Sequence, residues 1–223
     1  MAQMTNRGLS LPFARFAPEE QALFSVGLLL ALMVGVVLGG LWWIDQALVG
    51  KAVAVMAAVI VGGRIPAVLT GLEVGLGSGA IIALLSLFNS CWLLLAFPLF
   101  SSFHRRAVEL QLLGGLFGAV EDRAREQQRL LAAFGIWALS IFVWLPFPLT
   151  GGFVGAVIGL LLGVPVLRLI ALVLLSMWAG IATWTLGFEY LYLIEGQGGR
   201  IACWVITAAI LIWSLAARVR RTA

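Results

Sequence analysis

Charge is scarce in this chain. Only 11% of its 223 residues are Asp, Glu, Lys or Arg, whereas soluble domains carry about a quarter. A chain with 62% hydrophobic residues would aggregate in water, so lipid must surround most of its surface. Backbone amides in hydrocarbon have to be paired within the chain, which leaves helices or closed barrels. The apolar runs are continuous rather than alternating, and they therefore predict an all-α, polytopic membrane protein.

Residue types that build catalytic and metal centres are also rare. The chain has two cysteines, Cys91 and Cys203, and one histidine, His104, which are too few and too far apart for a metal-ligand cluster. Both cysteines lie in apolar runs and are interpreted as small buried hydrophobes. No nucleophile–base pair or nucleotide-binding glycine loop is recognisable. We therefore expect no enzyme activity, no cofactor and no metal. The net charge of +4 does not imply nucleic acid, because the arginines lie at predicted membrane edges.

Apolar runs and polar connections divide the chain into segments. The predicted segments are a tail at 1–21, a first span at 22–44, a first repeat at 52–103, an amphipathic surface segment at 104–129, a second repeat at 130–188 and a last span at 201–217. Ten of the fourteen basic residues lie in the tail, the 104–129 segment and the carboxy-terminal end. The positive-inside rule therefore places both termini and the 104–129 segment in the cytoplasm of a bacterial-type inner membrane.

The apolar runs inside each repeat are too short for two ordinary crossings. Residues 52–61 would rise about 15 Å as a helix, half the thickness of the hydrocarbon core. We therefore predict that each repeat begins with a re-entrant helical hairpin, which enters the membrane partway and leaves on the same side. The predicted fold has about four full transmembrane helices and two such hairpins. The hairpin turns are predicted at Pro66, Gly71, Pro146, Pro148 and Gly151.

A sequence repeat supports the two hairpins. When the chain is shifted by 80 residues, seven of fourteen positions agree without a gap. The matching pairs are Pro66 with Pro146, Leu69 with Leu149, Thr70 with Thr150, Gly71 with Gly151, Val74 with Val154, Gly75 with Gly155 and Gly79 with Gly159. The two hairpins would face opposite sides of the membrane. Inverted repeats with broken helices that meet near the midplane are typical of secondary transporters.

Arg64 and Glu73 are the charges predicted to lie within the membrane and away from the ends of spans. A charge at that depth costs at least about 2.5–3.5 kcal/mol, so it is usually paired, cavity-facing or functional. The sequence leaves two interpretations open. Either the two side chains form a structural ion pair across the first turn, or Arg64 holds an anionic head group while Glu73 takes up a proton.

Three uncharged side chains are further candidates for a binding site. Thr70 and Thr150 precede the predicted half-helices, where a threonine either caps the first amides or offers its hydroxyl to a ligand. Asn89 either bonds a neighbouring helix or contacts a ligand. The amino ends of both half-helices would direct partial positive charge to the centre, which suits an anionic substrate.

The second hairpin resembles a known family. The stretch from Pro146 to Ala156, followed by Gly163 and Gly180, is similar to the putative small multi-drug export proteins. That family carries a proline, threonine and glycine motif before a short half-helix and a long span. It resembles in turn the wider DedA/VTT superfamily, for which re-entrant hairpins and lipid-linked transport are proposed. The likeness covers about residues 50–190. The chain departs at Val61–Arg64, where the family has Glu-x-Arg-Gly, so no coupling glutamate is carried over.

The sequence therefore predicts a transporter-like inner-membrane protein that moves a small amphiphilic or lipid-linked anionic molecule, with proton coupling as an option. The alternative is a non-transporting subunit or scaffold of a larger membrane complex. An intramembrane enzyme is the least favoured interpretation. The expected partners are membrane lipid and the transported molecule, with no nucleic acid, and a homo-oligomer is compatible with this interpretation.

The predicted orientation can be tested by cysteine labelling. Cysteines introduced at positions 47 and 197 should react with a membrane-impermeant thiol reagent in intact cells, because both connections hold few basic residues. A cysteine at position 115 should react only after the membrane is opened. Cys91 and Cys203 are replaced by alanine for this measurement. Labelling of position 115 in intact cells would contradict the orientation.

Overall fold

The structure is a computed structural model, and it describes residues 17–109, 137–145 and 152–195 together with helical positions between 198 and 212. Within these residues all regular structure is helical, which confirms the predicted fold class. The helices are α1 (Pro18–Ile44), α2 (Gln46–Gly62), α3 (Arg64–Glu73), α4 (Ser78–Glu109), α5 (helical residues 137–144), α6 (Gly152–Leu161) and α7 (Val166–Glu195).

Three of these helices are long and apolar enough to cross a membrane. They are α1, the part of α4 up to Phe103, and the part of α7 up to Leu193. Apolar side chains such as Leu29, Val36 and Trp43 lie exposed along α1, as expected for a surface that faces lipid. Of the last predicted span, 201–217, the structure describes only some helical positions up to residue 212, and most of the predicted 104–129 surface segment lies outside the described residues.

Helix α2 begins earlier than the polarity of the sequence suggests. Residues 45–51 were expected to form a polar connection, but the helix starts at Gln46, directly after α1 ends at Ile44. The Asp45 carboxylate accepts a hydrogen bond from the Leu48 amide at 2.9 Å. A side-chain cap of this kind satisfies one of the amides that a helix leaves unpaired at its start, and so fixes the start of α2.

The turn predicted at Pro66–Gly71 is wrong, because both residues lie within α3. Pro66 is the third residue of the helix, where its missing amide proton costs nothing, since the first four amides of a helix have no intrahelical partner. The chain breaks instead at Gly63, whose φ of 86° and ψ of −163° are accessible almost only to glycine. The second predicted turn, 146–151, lies outside the described residues.

A short turn connects α3 to α4, and it closes α3 with a Schellman motif. The Leu76 amide donates to the Gly71 carbonyl at 2.9 Å, and the Gly75 amide donates to the Leu72 carbonyl at 3.1 Å. Gly75 has a φ of 73°, a left-handed conformation that costs other residues about 1–2 kcal/mol.

The turn between α6 and α7 has the same geometry. The Val164 amide donates to the Gly159 carbonyl at 3.1 Å, and the Gly163 amide donates to the Leu160 carbonyl at 2.9 Å. Gly163 has a φ of 75° and lies 88 positions after Gly75. The structural repeat is therefore α2–α3–α4 and α5–α6–α7, with an offset of 88 residues. The sequence repeat predicted at an offset of 80 does not coincide with these two turns, which are 88 residues apart.

The two long helices bury equivalent stripes of side chains. The stripe of each helix recurs about every fourth residue, as one face of a helix does. On α4 it consists of Ile81, Leu85, Leu93 and Phe97, and on α7 of Leu169, Val173, Met177 and Ile181. The short helices α3 and α6 each pack against both long helices, so each unit contributes to the core of the other.

Helices α4 and α7 run in opposite directions. Glu73, at the end of α3, accepts a hydrogen bond from Tyr192 near the end of α7, and the next residues lead directly into α4. The start of α4 therefore lies beside the end of α7. Near the middle of both helices, the Trp178 indole donates to the Ser90 hydroxyl at 3.0 Å. The two structural units are thus inverted relative to each other.

The left-handed conformation of Gly75 in the turn after α3 leads to a prediction about stability. Gly75→Ala should lower the free energy of unfolding by about 1–2 kcal/mol, because alanine would have to adopt the left-handed conformation. Gly79→Ala is the matched control, since a β-carbon there meets nothing within 4 Å and the residue lies in the first turn of α4. Thermal unfolding of both variants in detergent compares them. Equal melting temperatures would contradict the turn geometry.

Candidate functional site

Arg64 is a buried charge at the start of α3, with 9% of its surface exposed. Its Nη1 donates a hydrogen bond to the Val143 carbonyl at 3.0 Å. Val143 lies in the last turn of α5, where carbonyls have no helical partner and the helix dipole is negative. A guanidinium at this point therefore satisfies an orphan acceptor and sits at a favourable end of α5.

The hydrogen bond to Val143 uses only part of the capacity of Arg64. A guanidinium has five N–H donors, and within the described residues Arg64 makes this one side-chain hydrogen bond. A buried charge is costly unless it is paired and fully hydrogen-bonded. The remaining donors are therefore the strongest feature in the described interior that points to an anionic ligand.

The start of α6 lies close to the same point. Gly152, the first residue of α6, is buried, and a β-carbon there would lie 3.1 Å from both Val173 and Met177 of α7. In the first turn of α6, a β-carbon on Gly155 would collide with the Val143 side chain, whose carbonyl binds Arg64. Both short helices thus begin in the interior beside the end of α5. Their amino ends add partial positive charge to that of Arg64.

An aromatic cluster lies beside Val143, the residue whose carbonyl accepts the hydrogen bond from Arg64. Trp144 follows Val143, and its ring lies 5.7 Å from that of Trp184, which lies 6.1 Å from Phe188. Two buried polar atoms of α7, Trp184 Nε1 in this cluster and Thr185 Oγ1 of the next residue, have no hydrogen-bond partner in the described part of the chain. Buried polar groups are rarely left unpaired, so both are candidates for ligand contacts. The sequence analysis missed them, because a tryptophan and a threonine within an apolar span carry no recognisable spacing.

α7 approaches the end of α5 at Gly180. A β-carbon at this position would lie 2.8 Å from the Trp144 carbonyl oxygen, which is backbone and cannot move aside easily. Only glycine allows the two helices to come this close. The approach brings the Trp184 ring onto Trp144, beside the residue that binds Arg64.

Glu73 does not meet Arg64. The two residues are the last and the first of a ten-residue helix, which separates them by about 13 Å along its axis. Glu73 is exposed and accepts hydrogen bonds from Tyr192 Oη at 2.6 Å and from Trp204 Nε1 at 3.5 Å. The ion-pair interpretation is therefore wrong. Glu73 ties α3 to the end of α7 and to the terminal helical residues.

The uncharged candidates use their side chains within their own helices. Thr70 is the seventh residue of α3 rather than its cap, and its hydroxyl donates to the Pro66 carbonyl at 2.8 Å. Asn89 Nδ2 donates to the Leu85 carbonyl at 2.8 Å, so this amide bonds its own helix and not a neighbouring one. Thr150, together with Pro146, Pro148 and Gly151, lies outside the described residues.

Glu20 is a second buried charged residue, although the sequence analysis placed it in the polar tail. Glu20 lies in the first turn of α1 with 1% of its surface exposed. Its Oε1 accepts a hydrogen bond from the Ser101 hydroxyl of α4 at 2.7 Å, and its Oε2 accepts one from the Ala17 amide at 3.2 Å. The partner lies 81 residues away in the chain, which is why spacing could not indicate it. Glu20 fixes the start of α1 against α4.

These observations define the class of the protein as a multi-pass helical membrane protein with two inverted units around a buried arginine. No group of three or more His, Cys, Asp or Glu residues in the described part of the chain could hold a metal ion. The family model for putative small multi-drug export proteins matches residues 63–185, and the chain belongs to that family. No curated protein and no solved structure matches it. The relation to the DedA/VTT superfamily stays an expectation.

The separation of the two charges predicts additive effects on stability. Arg64→Gln and Glu73→Gln should change the free energy of unfolding independently, within about 0.5 kcal/mol, because they share no partner. The matched comparison is Glu73→Gln with Tyr192→Phe, which removes two ends of one hydrogen bond and should deviate from additivity. Chemical unfolding in detergent measures both cycles. Strong coupling between Arg64 and Glu73 would contradict the geometry of α3.

Proposed function

We propose that the protein moves a small amphiphilic anion across the membrane and binds the anionic group at Arg64. The observation that supports this most directly is a guanidinium with 9% of its surface exposed and one hydrogen bond to a described residue. In a medium of low dielectric constant an opposite charge is attracted far more strongly than in water. An anionic group would also use donors that the protein leaves unpaired.

The inverted units suggest how the anion would reach both sides. Helices α3 and α6 have ten residues each and rise about 15 Å, half the hydrocarbon core. In this proposal they are the inner arms of two re-entrant hairpins that enter from opposite sides, and their amino ends lie near the midplane. Rocking of one unit against the other around a fixed midplane site is the usual route to alternating access.

The neighbouring side chains complete the proposed site. Trp184 Nε1 and Thr185 Oγ1 would donate to the anion beside Arg64, and Trp144 would cover its apolar part. The export family to which the chain belongs fits a substrate that is amphiphilic rather than one of unique shape. The proposed site does not include proton uptake by Glu73, because this exposed residue lies about 13 Å from Arg64 along the axis of α3.

The orientation of the protein is part of the proposal. The excess of basic residues in the two termini and in the 104–129 segment favours a cytoplasmic position for all three, within a bacterial inner membrane. In that orientation the turn between α3 and α4 faces outward, and the turn between α6 and α7 faces the cytoplasm. The site at Arg64 would then lie between the two aqueous compartments.

The proposal predicts a loss of flux without a loss of folding. In proteoliposomes, movement of a short-chain fluorescent phosphatidylglycerol between leaflets, followed by chemical quenching, should fall at least about ten-fold in Arg64→Gln. A hydrogen bond to a charged group contributes about 1.5–3 kcal/mol, which corresponds to this loss. Arg64→Lys should retain part of the flux. Arg168→Gln is the control, because Arg168 is exposed in the first turn of α7.

Each outcome of the flux measurement distinguishes one interpretation from another. Normal flux in a folded Arg64→Gln variant would remove Arg64 from the site. Transport of tetraphenylphosphonium instead of the anion would overturn the substrate class. If the native protein moves neither probe, the non-transporting membrane subunit becomes the better interpretation. Melting temperatures in detergent confirm that each variant is folded.

A further inference from the structure

An apolar groove is lined by residues other than those of the Arg64 site. It has a volume of about 320 Å³ and is lined by residues of α1, α2 and α4, together with Leu76 of the turn after α3. Every residue that lines it is apolar. The walls include Met33 and Val37 of α1, Leu48 and Met56 of α2, and Ala83 and Phe88 of α4. The volume is at the lower end of the range for small-molecule pockets.

The groove opens onto the surface that faces lipid. Met33 and Val37 line it and are also about half exposed on α1. A cavity without polar partners does not hold ordered water, so hydrocarbon is the component of a membrane that can fill it. Trp42 and Trp43, near the end of α1, are exposed and are typical of a membrane interface. One end of the groove therefore lies close to the head groups.

Lys51, near the start of α2, is the positive charge closest in sequence to this end of the groove. Lys51 is the only lysine of the chain, and it is half-buried on α2. It does not line the groove itself, but it lies three residues after Leu48, which does, and residues at this spacing are neighbours on a helix surface. The structure shows no ion pair between Lys51 and a described residue. The ammonium group of a lysine near an interface extends toward the head groups while its stem covers apolar surface.

We propose that this groove binds an acyl chain of an anionic membrane lipid, whose phosphate lies beside Lys51. Moving the chain from bilayer to groove gains no hydrophobic free energy, so the charge must provide the selectivity. One basic side chain near an anionic lipid corresponds to a preference of about five-fold over a neutral head group. This inference goes beyond the proposed function, because a protein that transports nothing would bind lipid here equally well.

Photo-crosslinking measures the proposed preference directly. The protein is placed in phosphatidylcholine nanodiscs with a trace of phosphatidylglycerol or phosphatidylcholine that carries a diazirine on one acyl chain. Labelled peptides are then mapped by mass spectrometry. The phosphatidylglycerol probe should label residues 33–41 and 80–88 about five-fold more than the phosphatidylcholine probe. Lys51→Gln should remove this difference, and Lys51→Arg should keep it.

A second pair of variants tests the groove itself. Ala83→Trp would fill it and should reduce labelling of residues 33–41 by both probes. Ala171→Trp is the control, because Ala171 is exposed at the equivalent position of the second unit, 88 residues later, and does not line the groove. Equal labelling by both probes in the native protein, or no effect of Ala83→Trp, would overturn the proposal. So would a crosslink from these residues to a second copy of the chain. None of these measurements depends on flux.

Discussion

Arg64 joins two helix ends of opposite polarity, and much of the interior is arranged around that contact. Its own helix, α3, begins at Arg64 and presents a positive end, while its partner Val143 belongs to the negative end of α5. Inside a membrane no water is present to solvate a free carbonyl or a free guanidinium. The hydrogen bond between Arg64 and Val143 pairs two such groups where the chain breaks at Gly63 and α5 ends. The same contact connects the first unit to the second.

The two units share the same turn geometry and the same pattern of buried side chains. Each ends its short helix with two equivalent hydrogen bonds and a glycine of positive φ, and each buries a stripe of the following long helix. The short helix of one unit packs on the long helix of the other, so neither unit has a complete core alone. Any movement of one unit against the other would have to rearrange these contacts between the units.

Composition and apolar run length predicted the helical class and the three long apolar helices that the structure describes. They did not give the register of the repeat. The offset of 80 matched proline and threonine, which are conspicuous in sequence, whereas the structural equivalence rests on Gly75 and Gly163, whose role appears only as a backbone conformation. Pro66 was interpreted as a break although proline fits the first turn of a helix. Contacts over long separations, such as Glu20 with Ser101, leave no signal in spacing.

The second unit shows that the fold does not need a charge at the start of its short helix. At the offset of 88, the residue equivalent to Arg64 is Gly152, which has no side chain and packs against Val173 and Met177 of α7. Apolar packing therefore suffices at this point of the second unit. In the proposed function, an anionic ligand at Arg64 explains this difference between the two units, because Arg64 makes only one hydrogen bond to the described residues.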